Sequence, residues 1–158
     1  DLHSFPTRRS SDLEIATLPD RETRLNSTYK MVAPTFSKKE RIVSKKLMET
    51  LFEKGDSQAV TAFPLKAVYL PIDRPQGGAP VQVLISVPKK RFKHAVDRNR
   101  VKRQVREAFR CHKETIYEHI TADRQLLVAF IWLSDRHYVS AEIERRVSKL
   151  LHKIAQQL

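Results

Sequence analysis

The feature that most constrains the fold is a nearly continuous apolar run, RQLLVAFIWL, at residues 124–133. A strand that alternates apolar and polar residues can leave one face in water, but a run of this kind needs cover on both faces. It is also far shorter than the ~20 apolar residues that span a bilayer. The run therefore predicts a strand that is buried inside a layered domain.

The segments around this run predict the remaining elements. The sequence SKKE at 37–40 has the form of a capping box, and 44–55 is typical of a short helix. Two further strands are predicted at 63–72 and 81–88, and the turn-rich DRPQGGAP between them favours a hairpin. Helical spacing predicts a long helix from the following basic segment to about residue 119, and another at the C-terminal end. We expect one small α+β domain of order α-β-β-α-β-α, with a mixed sheet and the helices packed on one face.

The opening of the chain does not share these patterns. Residues 1–36 hold five basic and five acidic side chains, with scattered Ser, Thr and Pro and no sustained period. We interpret residues 1–30 as a disordered or non-native leader segment, with Met31 as a plausible true start. Residues 31–158 are expected to form the folded domain.

Positive charge is concentrated in one part of the chain. The formal net charge is +12, and residues 89–113 contain eleven basic but only two acidic side chains. A balance of this kind indicates a nucleic-acid partner or an anionic membrane. The single cysteine excludes an internal disulfide and fits a reducing compartment, so we expect a cytoplasmic protein that is not inserted in a membrane.

The basic segment also has two chemically different faces if it is helical. At 100° per residue, one arc is apolar apart from a histidine and contains Val101, Val105, Ala108, Phe109 and His112. The adjoining arc contains Asn99, Lys102, Arg103, Arg106, Arg110 and Lys113. Like charges at i, i+4 spacing cost roughly 0.2–0.5 kcal/mol per pair, and a solvated face normally mixes charges of both signs. The pattern favours a surface that is neutralised by nucleic-acid phosphates.

The stretch ISVPKKRFKHAVDRNRVKRQVREAF resembles the protein subunit of bacterial ribonuclease P. That family carries Ser-Val-x-Lys-Lys at a strand end, followed by Ala-Val-x-Arg-Asn-Arg-x-Lys-Arg at the start of a long helix. The matching residues are Ser86, Val87, Lys89, Lys90, Ala95, Val96, Arg98, Asn99, Arg100, Lys102 and Arg103. The likeness runs from about residue 36 to the end of the chain. It implies an unusual left-handed β-α-β crossover, against the usual right-handed rule.

The resemblance implies a ribonucleoprotein that removes the 5′ leader from precursor tRNA. The partners would be ribonuclease P RNA and precursor tRNA, and no obligate protein partner is evident. The RNA subunit and its bound Mg²⁺ would carry the chemistry of this endoribonuclease. The protein would hold the leader and improve substrate and metal binding, without a catalytic side chain of its own; its metal-ligating residues, if any, cannot be assigned from the sequence.

Individual site residues follow from the same resemblance, supplemented by Arg91 and Arg110 from the two basic runs. The predicted RNA contacts are Lys89, Lys90, Arg91, Arg98, Asn99, Arg100, Lys102, Arg103, Arg106 and Arg110. The predicted leader cleft contains Met48, Phe52, Lys66 and Val68. Phe52 matches a cleft aromatic but is equally compatible with ordinary core, and Met48 replaces the family's other aromatic. The link RFKH is longer than the family's usual one, which leaves the local loop geometry open.

Other readings of the sequence are weaker. His112 and His119 could act as acid and base in a protein nuclease, but His112 belongs to the arc that is expected to be buried, where core histidines are common. Cys111 with nearby histidines could bind a metal, but no paired ligand spacing supports that site. A ribosomal-type RNA-binding protein would use the same basic helix without cleavage. A DNA-binding protein would place residues 98–110 in a major groove, yet the preceding segment is typical of a strand rather than of a helix-turn-helix.

Overall fold

The computed structural model describes residues 34–53 and 55–158. The predicted leader segment, residues 1–30, lies outside this part of the chain. In chain order, the elements are a 3₁₀ turn at Lys38–Glu40, α1 at Lys45–Glu53, β1 at Gln58–Ala62, β2 at Leu65–Asp73, β3 at Val81–Ser86, α2 at Ala95–His112, the single turn α3 at Glu114–Tyr117, β4 at Arg124–Trp132 and α4 at Ser140–Gln157. The predicted α+β class is confirmed.

The four strands form one mixed sheet in the order β1-β2-β4-β3. β2 pairs antiparallel with both β1 and β4, whereas β3 pairs parallel with β4. The apolar run is therefore an interior strand, as predicted, and its residues 125–130 are all buried. Its side chains alternate between the two faces of the sheet, and each face has its own apolar cluster.

The predicted hairpin between segments 63–72 and 81–88, which form β2 and β3, is wrong. Both segments form strands, but β4 lies between them in the sheet. The tight hairpin instead joins β1 to β2 through Phe63 and Pro64. A turn-rich connection specifies that the chain reverses locally; it does not specify which strand pairs with which. Here an apolar interior strand, distant in sequence, takes the position between the two segments.

α2 and α4 pack together on one face of the sheet. Val101, Val105 and Phe109 of α2 are fully buried there. The α4 side chains in the same cluster are Ile143, Val147, Leu150, Leu151 and Ile154. Each such side chain stabilises the fold by roughly 1.5–3 kcal/mol when it leaves water. The predicted apolar arc of α2 is confirmed except at His112, which is half-buried and lies 2.8 Å from the Glu144 carboxylate.

α1 lies against the opposite face, so the expectation that the helices share one face holds only for the two long ones. Leu51 of α1 is fully buried with Ile42, Leu70 and Leu127 in the second apolar cluster. A nine-residue helix is too short to cover this face completely. The part of the sheet beyond α1 consequently keeps half-exposed side chains.

Two further expectations concern the long basic helix and its connections. α2 ends at His112, and the separate turn α3 occupies part of the segment that was expected to continue the helix to about residue 119. β3, α2 and β4 form the predicted β-α-β unit, because β3 and β4 are parallel neighbours. The left-handed sense of this crossover stays a prediction. No helix in the described part of the chain is long and apolar enough to cross a membrane.

Candidate nucleic-acid interface

The basic segment 89–110 has very little internal charge compensation. It contains ten Lys and Arg residues and two carboxylates, Asp97 and Glu107. The Oδ1 atom of Asp97 lies 3.0 Å from Nε2 of His137, and the Glu107 carboxylate is paired with the Arg110 guanidinium. Within the described residues, the other nine cations have no carboxylate partner. The crowded positive charge that the sequence predicts is therefore present on the folded domain.

Arg110, one of the predicted RNA contacts, has a carboxylate partner within the protein. Its Nε donates to Glu107 at 3.0 Å, and its Nη1 donates to the carbonyl oxygen of Pro34 at 2.5 Å. The hydrogen bond from Arg110 also holds the pKa of the Glu107 carboxyl below its usual range. Arg110 thus secures the segment before α1, and it is among the least available of the predicted contacts.

Arg98 is also engaged within the protein, but with neutral groups. Its Nη1 donates to the carbonyl oxygens of Phe92 and Lys93, at 2.9 and 2.8 Å. The ring of Phe92 in turn stacks on His137, with centroids 4.5 Å apart and planes 19° from parallel. These contacts fix the RFKH loop whose geometry the sequence leaves open. Arg98 therefore positions the RFKH loop.

The remaining predicted contacts form what we call the basic surface, made of Lys89, Lys90, Arg91, Asn99, Arg100, Lys102, Arg103 and Arg106. Lys89 and Lys90 follow the end of β3 and are exposed, as are Asn99, Arg100 and Arg103 on α2. Lys102 and Arg106 are half-buried. The guanidinium Nε of Arg91 and that of Arg106 are both buried without a hydrogen-bond partner in the described chain. The exposed lysines and arginines of this surface can donate hydrogen bonds to phosphate oxygens.

The predicted leader-cleft residues lie on the other side of the sheet. Lys66 and Val68 are on the β2 face that carries α1, and Met48 of α1 packs in the same cluster as Val68. Across the sheet, Lys66 pairs with Ile131, which pairs with Ser86 of β3. We call the half-exposed part of this surface the open sheet face; it contains Lys66, Val68, Leu84, Ser86 and Ile131. The structure thus brings three of the four predicted cleft residues together.

Phe52 is the fourth predicted cleft residue. Its side chain is 49% exposed, so ordinary core packing does not describe it. It stands one helical turn beyond Met48, which places the two side chains on the same side of α1. A second exposed aromatic, Phe63, lies in the β1–β2 turn and was missed by the sequence reasoning. Its signal is an aromatic residue directly before a proline, but that pattern alone does not predict exposure.

A buried ionic cluster, also missed, holds the segment before α1 in place. Glu40 is 5% exposed, and Lys113 donates to its carboxylate at 2.6 Å. The Tyr117 hydroxyl and the Ser37 backbone N–H donate to the same carboxylate, the latter completing the predicted capping box. Burial alone would raise the pKa of Glu40, but these hydrogen bonds outweigh it and leave the pKa below its ordinary value. Segment 34–43 is consequently anchored to the end of α2.

The weaker readings gain no support from this geometry. His112 contacts Glu144, whereas His119 Nδ1 lies 2.9 Å from the carbonyl oxygen of Thr115, so the two rings have separate partners. Cys111 is exposed. Among residues 34–53 and 55–158, no group of three or more His, Cys, Asp or Glu side chains could hold a metal ion. In addition, α2 is preceded by β3 and a loop, which is not a helix-turn-helix arrangement.

Comparisons with known proteins agree with the resemblance in the basic segment. The family model described as Ribonuclease P matches residues 36–155. The ribonuclease P protein component of Porphyromonas gingivalis is 39% identical over 126 residues, which cover 77% of this chain and 89% of the relative. That of Chlorobium phaeobacteroides is 38% identical over 82 residues, covering 47% of this chain and 56% of the relative. Among solved structures, the Staphylococcus aureus RNase P protein has a TM-score of 0.54 at 23% identity, covering 74% of this chain and 95% of that one. This last likeness shows a shared fold.

Proposed function

The chain belongs to the family of ribonuclease P protein components, and from this premise we propose that it binds both ribonuclease P RNA and the 5′ leader of precursor tRNA. In this role it assists the Mg²⁺-dependent endonucleolytic removal of the leader. The protein is an accessory subunit, and the RNA carries the chemistry. No side chain of the chain is assigned as a catalytic acid, base or nucleophile.

The observation that carries this proposal is the uncompensated charge of the basic surface. Its lysines and arginines stand on α2 and at the end of β3 without a carboxylate partner in the described chain. Repulsion among them is relieved when RNA phosphates replace the condensed counterions, and the released ions favour binding. The planar guanidinium groups of Arg100 and Arg103 can in addition bind phosphate through two parallel hydrogen bonds.

The leader is assigned to the open sheet face because this face suits single-stranded RNA. Lys66 of this face offers a cation that has no carboxylate partner in the described chain, and Phe52, on the same side of α1 as Met48, offers an exposed ring for base stacking. Stacking on aromatic side chains is sequence-tolerant, since every base has a flat π-face. The protein can therefore hold leaders of different sequence.

Mg²⁺ enters the proposal through the RNA. When bound there, the metal supplies the activated water and stabilises charge at the scissile phosphate. The chain's own residues neutralise nearby phosphates and hold the substrate strand. This lowers the concentration of free Mg²⁺ that a folded, substrate-bound RNA requires, because fewer phosphate charges remain to be screened by ions alone.

Reconstitution tests the proposal directly. Purified protein is added at increasing ratios to bacterial ribonuclease P RNA and precursor tRNA at low Mg²⁺. We expect faster leader removal than with the RNA alone. Stimulation that is absent at every protein ratio would contradict the proposal, and RNA binding without stimulation would favour a ribosomal-type RNA-binding protein instead.

A further inference from the structure

A pocket of about 210 Å³ lies at the outer edge of β3, the edge that does not pair with β4. Its lining comes from β3, from α2 and from the segment that precedes α1. We call it the β3-edge pocket. Its apolar lining consists of Phe36, Ile42, Val43, Val83, Leu84 and Ile85. Three cations, Arg41, Lys102 and Arg106, complete the lining. The volume is below the roughly 300–1,000 Å³ typical of sites for drug-sized ligands, so the pocket suits a single ring system.

The strand edge in this pocket carries unused backbone groups. The carbonyl of Val83 points outward, because it accepts a hydrogen bond from the Ile42 N–H at 3.0 Å. Backbone direction alternates along a strand, so the N–H and C=O of Ile85 also point to the outer edge. No segment of the described chain pairs with Ile85 there. One donor and one acceptor are thus available on a short length of backbone.

The three cations of the pocket are equally unsatisfied. None of them has a carboxylate partner among the described residues, and the Nε of Arg106 is buried without a hydrogen bond. The guanidinium of Arg41 lies over the Phe36 ring, 5.5 Å from its centroid, which makes a flat and partly polar wall. Lys102 and Arg106 reach the pocket from α2, one helical turn apart. An apolar slot with a backbone edge inside and cations at its walls matches a nucleobase that is attached to a phosphate.

We propose that the β3-edge pocket binds one unpaired nucleotide of ribonuclease P RNA. The base enters between Phe36 and Val43 and meets the free backbone groups of Ile85, while Lys102 and Arg106 hold the adjoining phosphate. This inference rests on the proposed function. The RNA subunit is chosen over the leader because both phosphate-binding cations belong to the basic surface of α2. The open sheet face, assigned to the leader, shares only Leu84 with the lining of the pocket.

The test blocks the pocket without disturbing the core. Val43 is 77% exposed, so Val43→Trp fills the pocket mouth at little cost in folding. Val139→Trp is the matched control, because Val139 is 69% exposed and precedes α4, away from the pocket lining. Each full-length variant is bound to ribonuclease P RNA, and its affinity and the reactivity of unpaired bases toward a chemical modifier are measured.

We expect Val43→Trp to weaken binding by roughly tenfold, in line with the loss of one stacked base. One unpaired base of the RNA should be protected by the wild-type protein and by Val139→Trp, and become reactive with Val43→Trp. Arg106→Gln should weaken binding too, but add little to Val43→Trp, because both changes act on the same nucleotide.

Unchanged or tighter binding by Val43→Trp, with the same protected bases as in the wild type, would overturn the inference. Protection that is lost in the leader of precursor tRNA, and not in ribonuclease P RNA, would overturn the choice of ligand. Failure of the proposed function is seen separately, since the wild-type protein would then not stimulate leader removal at all.

Discussion

The Nη1 atom of Arg98 donates a hydrogen bond to the carbonyl oxygen of Phe92, six residues earlier, at 2.9 Å. Arg98 is among the residues that the family resemblance assigns to RNA binding. In this structure it also holds the RFKH loop against the first turn of α2. The loop in turn carries Arg91 and follows Lys89 and Lys90. One arginine therefore links the stability of the loop to the placement of the strand-end cations.

Replacing Arg98 should consequently affect both stability and RNA binding. We expect Arg98→Ala to lower the free energy of unfolding by roughly 1–2 kcal/mol, because two backbone carbonyls lose a charged donor. Arg100→Ala, on the same helix turn but exposed, should weaken RNA binding and leave the unfolding temperature within a degree or so. Thermal unfolding and RNA titration of both variants check this. Equal melting temperatures for the two variants would show that the Arg98 contacts are unimportant.

Glu107 provides a gain-of-binding test. Its carboxylate pairs with Arg110 beside the basic surface, so Glu107→Gln removes a negative charge and releases a guanidinium. We expect RNA affinity to rise several-fold at low salt, with the gain shrinking as salt screens the charges. Glu118→Gln, which removes an exposed carboxylate outside α2, serves as the control. Weaker RNA binding by Glu107→Gln would mean that the Glu107–Arg110 pair orders the interface.

The Glu40 cluster predicts a defined pH dependence. The pKa of Glu40 is lower in the folded protein than its ordinary value, so its ionisation stabilises the fold above the usual glutamate range. That contribution is lost as the pH falls through the lowered folded pKa. Glu40→Gln should therefore destabilise the protein at neutral pH by roughly 3 kcal/mol, since Lys113 is left buried without its partner.

The difference between wild type and Glu40→Gln should narrow as the pH falls below the ordinary glutamate range and through the lowered folded pKa of Glu40, where the wild-type carboxyl also becomes neutral. Chemical denaturation of the two proteins across this range measures it. A difference that stays constant over the whole pH range would show that the effect of Glu40 comes from packing and not from its charge.

Phe52 tests the assignment of the leader. Because its ring is half-exposed, Phe52→Ala should cost little stability. It should weaken the binding of precursor tRNA by roughly 5- to 100-fold, since base–aromatic stacking contributes about 1–3 kcal/mol per base. Mature tRNA, which lacks the leader, should bind equally to wild type and variant, and Phe52→Trp should retain precursor binding. An equal loss for precursor and mature tRNA would contradict a leader contact.

Local sequence patterns were sufficient for the elements that position the site. The apolar run that becomes β4 and the two-faced helix α2 are each specified by residues that are neighbours in sequence. The pairing of the strands was not predictable in this way, because β4 reaches its place between β2 and β3 from about forty residues further along the chain. The turn residues between β2 and β3 predict a local hairpin, but β4 pairs with both strands and lies between them.

The partners of individual charged residues were unpredictable for the same reason. Glu40 and Lys113 are 73 positions apart in the sequence, and Arg110 lies 76 positions after Pro34, whose carbonyl it contacts. From the sequence, Arg110 and Arg103 look alike. The folded chain shows that Arg110 pairs with Glu107, whereas Arg103 has no carboxylate partner among residues 34–53 and 55–158. The sequence therefore predicts that the basic segment binds RNA. It does not predict which of its residues contact other parts of the protein instead.

The salt dependence of RNA binding tests most directly whether the basic surface contacts phosphates. Affinity for ribonuclease P RNA is measured against salt concentration for the wild type and for Arg100→Ala, Arg103→Ala and the double variant. We expect the slope of log affinity against log salt to become shallower by roughly 0.7–0.9 for each phosphate contact that is lost. Slopes identical to the wild type, whatever the change in affinity, would contradict phosphate binding by these arginines.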